Sequence, residues 1–190
     1  MRRLNDSYLA TSTGVSELVF AQEDDTCTRK VNRVALERGG DYKALMFVGD
    51  DHVFDGPGWD KALLEPLLER PGISFPDAIS RPGHPEVFAI SSVIVQALGW
   101  MMLPSQQHYY VDDAILELGV RADCITFLPE VKVPHLHYKV LGQPPDEIYR
   151  RAHKWLDEDR ESYWRWLRED SQDDVDKVNW AVYWTVSSHA

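Results

Sequence analysis

Cysteine is scarce. The two that occur, Cys27 and Cys124, lie far apart and form no Cys-x-x-Cys pair, which argues against a zinc ribbon or a disulfide framework and makes both read as reduced, structural thiols. Long apolar runs are missing as well: none approaches membrane-spanning length, and Met1-Arg2-Arg3 leads into Leu-Asn-Asp-Ser-Tyr rather than into the apolar stretch of a signal peptide. No membrane span and a cytoplasmic location are the expectations. Positive charge is also short, with 20 Lys and Arg against 31 Asp and Glu and a formal net charge of -11. Such a surface repels a polyphosphate backbone, so extended nucleic acid is not an expected partner. A single nucleotide stays open, because a metal ion supplies positive charge locally. There is no internal repeat, and the acidic stretch 170–176 is the one compositionally biased tract.

What is present is ordinary globular material. The 190 residues are 44% hydrophobic and 27% charged, enough for one α/β domain with a core and a tail but not for two full-sized domains. The pattern predicts an opening helix over 2–12, a strand at Ser16–Ala21 ending in the acidic Glu23-Asp24-Asp25, and a helix from Arg29 to Arg38 capped by Thr26 or Thr28 and stopped by Gly39-Gly40. Lys43–Val48 is a nearly continuous apolar run, the signature of a strand buried on both faces, and it ends at Gly49-Asp50-Asp51-His52.

This β-α-β alternation predicts a mostly parallel sheet flanked by helices, with ligand-binding groups at the carboxyl ends of its strands. A helix over 58–69 ends at Pro71-Gly72, and a Pro- and Gly-rich segment, 76–85, precedes a strand at Val87–Ile90 and an apolar helix over 92–98. Tyr109–Ala114 opens another helix, and Cys124–Leu128 and Val131–Val133 read as two short strands leading to Pro134-His135-Leu136-His137. From Pro144 the pattern becomes one long, charged, Trp-bearing helix, about 146–169. The organisation expected is a domain over 1–142 and a C-terminal helical, Trp-rich acidic tail over 143–190, whose aromatic face offers a homodimer contact.

Asp50 and His52, two apart at the end of a strand, point to one side in extended conformation, within reach of one ion. His135 and His137 repeat the spacing, and one of them completes the site from across the sheet. A carboxylate with an imidazole suits Mn²⁺ or a similar divalent metal better than Ca²⁺, and Mn²⁺ (or Mg²⁺) is the expected cofactor. Each group also has a plainer reading. Asp50-Asp51-His52 suits a solvated turn, Asp112-Asp113 suits the positive end of a helix dipole, and histidines on an exposed strand need no ligand. The tryptophans read as packing anchors, and His84 and His108 fall in loops.

The ordered set Phe47-Val48-Gly49-Asp50-Asp51-His52, Val111-Asp112-Asp113 and His135-Leu136-His137 resembles the motifs of GT-A glycosyltransferases, family 2-like, over about residues 15–140. The Asp-x-His form of the Asp-x-Asp motif is similar to that of the polypeptide N-acetylgalactosaminyltransferases. The resemblance implies a GT-A (Rossmann-like) fold, and the sequence departs from that pattern in an N-terminal β-unit that is shortened or missing. It implies transfer of a sugar from a nucleoside-diphosphate sugar, a UDP-sugar being favoured, to an acceptor hydroxyl. Asp50, His52 and His135, with His137 the alternative, would hold the metal. Asp51 would touch the donor ribose or assist the metal, Asp24 and Asp25 the nucleoside, and Lys30 and Asn32 other parts of the donor. Asp113 or Asp112 would deprotonate the acceptor. Two other functions fit less of the sequence: a truncated, non-catalytic binding or assembly protein, and a sugar nucleotidyltransferase, which usually shows a Gly-rich phosphate loop not visible here.

Overall fold

The computed structural model describes residues 2–21, 25–138, 141–142, 144 and 147–187. Its sheet has four strands, β1 (Ala44–Phe47), β2 (Ile73–Asp77), β3 (Phe88–Ser91) and β4 (Ile125–Lys132), in the order β1-β3-β2-β4. β1 and β2 both run antiparallel to β3, while β2 and β4 are parallel neighbours. The expected mostly parallel sheet is therefore corrected to a mixed one. The cause is the connection from β2 to β3, residues 78–87, which folds back on itself instead of crossing over through a helix. Because β1, β2 and β4 still share one direction, their carboxyl ends meet at one edge of the sheet.

Alternation along the strands sends side chains to two apolar layers. Phe88 and Ile90 of β3 join Ile73 and Phe75 in one cluster, which α4 (Ser92–Leu98) and α5 (Val111–Arg121) cover with Ile94, Val95, Ile115 and Leu118. Val87 and Ala89 face the other way, toward α3 (Trp59–Glu69), which supplies Trp59, Leu63 and Leu67, and toward Val131 and Val133. Each fully buried large side chain contributes roughly 1.5–3 kcal/mol. α5 lies tight on β4 at Gly119, where an added Cβ would sit 2.7 Å from Cβ of Ile125.

Several expected elements differ. Ser16–Ala21 is not a strand. The chain leaving α1 (Arg2–Thr11) is instead pinned to α3, because the buried Asp60 carboxylate accepts from Ser12 Oγ (2.9 Å), Thr13 N (2.8 Å), Thr13 Oγ1 (2.9 Å) and Ser16 Oγ (3.2 Å). β2 was hidden by Pro76, yet its pairing with β3 ends at Ser74, so on that side the missing N–H breaks no ladder bond. The two short strands near 124–133 are one strand, β4. α2 (Cys27–Arg38) starts two residues earlier than expected, and of the two candidate caps it uses Thr26, whose Oγ1 accepts from Arg29 N at 3.4 Å.

The long C-terminal helix is divided into α6 (Glu147–Ala152), a 3₁₀ turn at His153–Trp155 and α7 (Leu156–Glu169). Most of the acidic stretch 170–176 forms the first part of α8 (Ser171–Ser187), where Asp174 accepts from Trp166 Nε1 at 2.9 Å and from Lys177 Nζ at 2.7 Å. Tyr163, Trp166, Val175, Val178 and Val182 belong to the main core, while Trp180, Tyr183 and Trp184 are exposed. No helix among the described residues is long and apolar enough to cross a membrane.

Candidate metal centre

The carboxyl ends of the three codirectional strands carry the polar groups. β1 is followed by a turn at Asp50-Asp51, closed by His52 N donating to Gly49 O at 3.2 Å. The turn is tight: a Cβ on Gly49 would lie 2.9 Å from both Asp51 Oδ1 and His52 Nδ1. His52 pairs with His135 as an isolated antiparallel bridge, with Val53 N donating to Pro134 O (3.1 Å) and Leu136 N to Asp51 O (2.8 Å). The backbone therefore brings two histidines from distant stretches of the chain into register, and their rings stack with centroids 4.2 Å apart.

Asp51, His52 and His135 form a cluster in which one ligand atom from each lies within 4.8 Å of the others. Asp51 Oδ2 is 3.0 Å from His135 Nε2 and accepts from the Tyr149 hydroxyl at 2.7 Å, while Asp51 Oδ1 is 3.2 Å from His52 Nδ1. Burial alone would push the Asp51 carboxyl up, but hydrogen bonds from His135 and His52, the His135 charge and Tyr149 outweigh it and hold the group well below the ordinary carboxylate range. Burial likewise disfavours a charged His135, yet Asp51 and Glu86 raise it to about 9.

His52 is the informative member. Its side chain is 3% exposed. Nδ1 faces two groups that only accept, Gly49 O at 3.3 Å and the Asp51 carboxylate, so the ring proton belongs on Nδ1 and Nε2 keeps its lone pair. That Nε2 is buried and has no hydrogen-bond partner. An orphaned buried nitrogen on one of three clustered residues, a carboxylate and two imidazoles, suits a divalent metal site, and an Nδ1–H held by a backbone carbonyl is how such ligands are oriented. The residues fit a divalent metal ion.

A second cluster lies nearby. His84 Nδ1 is 3.1 Å from Asp112 Oδ2 and its Nε2 is 3.2 Å from Asp113 Oδ1, while Arg81 reaches Asp112 at 3.1 Å and Asp113 at 3.7 Å. Against its burial, the two carboxylates raise His84 to about 9, and Asp113 is held low chiefly by His84.

Both clusters border one cleft of about 1770 Å³, lined among others by Asp51, His52, Asp112, Asp113, His135 and Tyr149. The remaining expected residues are placed as follows. Asp50 is an exposed turn residue on the cleft wall and is not one of the three clustered donors. His137 stands beside the cluster, its ring 5.1 Å from that of His135 and 4.9 Å from that of Tyr149. Lys30 and Asp25 border the cleft, Asp25 also accepting from Thr26 N at 2.7 Å. Asn32 is spent on the backbone after α4, accepting from Met101 N and Met102 N at 2.8 Å and donating to Met102 O at 2.7 Å. Asp24 lies outside the described residues. Trp59 is a packing residue, stacked on Phe54 at 3.7 Å. Tyr149 and Glu86 carried no local signal in the sequence. Comparison with protein-family models, with curated proteins and with solved structures finds no match.

The two raised imidazoles give a pH expectation for the metal-free protein. A folded-state value of about 9 against an ordinary value near 6.5 means that each ion cluster stabilises fully below about pH 6.5 and loses its contribution as pH rises through about 9. With screening at these partly solvated sites, the loss is on the order of 1–2 kcal/mol per imidazole. Urea denaturation across this range should show falling stability, and a His84→Gln/His135→Gln protein should show a flatter profile.

Proposed function

We propose that the chain is a divalent-metal-dependent glycosyltransferase that moves a sugar from a nucleoside-diphosphate sugar, by preference a UDP-sugar, to an acceptor hydroxyl. The observation that supports this best is the convergence of Asp51, His52 and His135 on the wall of the cleft, with the His52 Nε2 lone pair buried and unused. These three residues would hold the metal. A cation held there supplies Lewis-acid stabilisation of the charge that grows on a departing diphosphate. The cleft exceeds the roughly 300–1,000 Å³ typical of a single small-molecule site, which suits a reaction that holds donor and acceptor together.

In this reading Asp51 and the two imidazoles orient the donor end, and Tyr149 steadies the Asp51 carboxylate. Asp113, as the acceptor's base, must exchange its contact with His84 for the acceptor hydroxyl. That contact favours a second reading, donor binding without transfer, because a carboxylate held low by an imidazolium is a poor base. Calorimetry with UDP, with and without Mn²⁺, tests the first part: UDP is expected to bind in the presence of Mn²⁺ and far more weakly in its absence. No binding at millimolar UDP and Mn²⁺ would remove both readings, whereas binding without any hydrolysis of a panel of UDP-sugars would favour the second.

A further inference from the structure

Glu86 faces the metal cluster from behind and is not one of its donors. Its Oε2 is 3.4 Å from Nδ1 of His135, an ion-pair contact between side chains only 13% and 12% exposed. On the other side of the same ring, Nε2 faces Asp51 at 3.0 Å. The imidazole is thus flanked by a carboxylate at each nitrogen, and only Asp51 shares the cluster with His52.

Glu86 is itself held. It accepts from the Ser80 hydroxyl, and its N–H donates to His84 O at 2.9 Å. The loop that presents it is fixed at its start by Asp77, which accepts from Ile79 N at 2.8 Å and from Lys132 Nζ at 2.7 Å, while Ala78 O accepts from His135 N at 3.0 Å. Ile79 takes a φ of 68°, a backbone that a β-branched residue adopts only when its surroundings over-determine it.

Resting on the metal reading above, we infer that Glu86 is a positioning residue for that site. Both ring nitrogens face a carboxylate, which accepts and never donates, so a cation at the cluster would take the place of the Nε2 proton while Glu86 keeps the remaining proton on Nδ1 of His135 and holds the ring plane on the cluster. Without it the neutral ring is free to take either tautomer and to turn, so Nε2 is presented for only part of the time. Loss of an outer-shell carboxylate of this kind typically weakens metal affinity about 10–100-fold.

The experiment is Mn²⁺ titration of the full chain by calorimetry, alongside long-range ¹H–¹⁵N spectra of the histidine rings with Zn²⁺ as a diamagnetic probe. Glu86→Ala is expected to weaken Mn²⁺ about 10–100-fold, and Glu86→Gln, which keeps an acceptor, to recover much of the loss. Ser80→Ala, which frees the carboxylate without removing it, is expected to cost a few-fold and serves if Glu86→Ala does not fold. The wild-type spectra should show His135 protonated at Nδ1 and liganded through Nε2. Mn²⁺ affinity unchanged in Glu86→Ala or, where that variant is unfolded, in Ser80→Ala overturns this role alone, as does His135 bound through Nδ1. A wild-type chain that binds no Mn²⁺ overturns the metal site and this role with it.

Discussion

Replacing Asp51 with alanine should cost more metal affinity than any other single change in the cleft. The carboxylate contacts all three of its polar neighbours, His52, His135 and Tyr149, so its loss removes a donor and also leaves two imidazoles facing each other with no negative charge between them. Mn²⁺ affinity is expected to fall by more than about 100-fold, beyond the range for an outer-shell partner, and sugar transfer should fall with it. Asp51→Asn separates the two effects, since it keeps size and one acceptor oxygen but not charge. It should fold like the wild type and still bind Mn²⁺ poorly. Affinity within a few-fold of wild type in both variants would remove Asp51 from the metal set.

Asp159→Ala should be the most destabilising change outside the apolar core. Asp159 is fully buried on α7, and its carboxylate accepts from three successive backbone N–H groups, Gln107 at 2.7 Å, His108 at 2.9 Å and Tyr109 at 2.8 Å. This bond set fixes the loop that enters α5 through Tyr110, whose φ of 62° costs about 1 kcal/mol or more. Alanine strands three part-buried donors and is expected to cost roughly 3–5 kcal/mol, a large share of the 5–15 kcal/mol that typical domains have. Asp159→Asn keeps the acceptor oxygen and should recover part of the loss. Urea denaturation measures both. Because α5 carries Asp112 and Asp113, the same change should also loosen the second cluster, visible as faster amide exchange at residues 106–113. A loss below about 1 kcal/mol would mean that water replaces the carboxylate at no cost.

The contrast between residues 50 and 51 shows what the sequence could and could not tell. The apolar run into β1 and the polar cluster after it were legible, because a strand buried on both faces and a break in hydropathy are local signals. Alternation then selected Asp50 with His52, which holds only while the chain stays extended. The strand ends at Phe47, and the turn at Asp50-Asp51 resets which side chain faces the imidazoles. Asp51 therefore meets His52 and His135.

The same limit explains the segment after α1. Val19 and Phe20 look like strand residues, but Ser12, Thr13 and Ser16 are captured by Asp60, a partner 44–48 positions away that no local pattern reveals. Glu86 was hidden between a Pro- and Gly-rich segment and a strand, and Tyr149 in a charged helix. Their meaning comes from His135 and Asp51, which tertiary packing alone brings to them. The helix starts at Thr26 and the carboxyl-end placement of the site were legible because capping and strand direction follow from nearby residues.

The central claim is that one carboxylate and two imidazoles from distant stretches share a single cation. Pulsed electron paramagnetic resonance of the Mn²⁺-loaded chain tests it directly. Nitrogen couplings from two imidazoles are expected, one lost in His52→Ala and the other in His135→Ala. Bound Mn²⁺ with no nitrogen coupling, or with couplings that survive both substitutions, would contradict it.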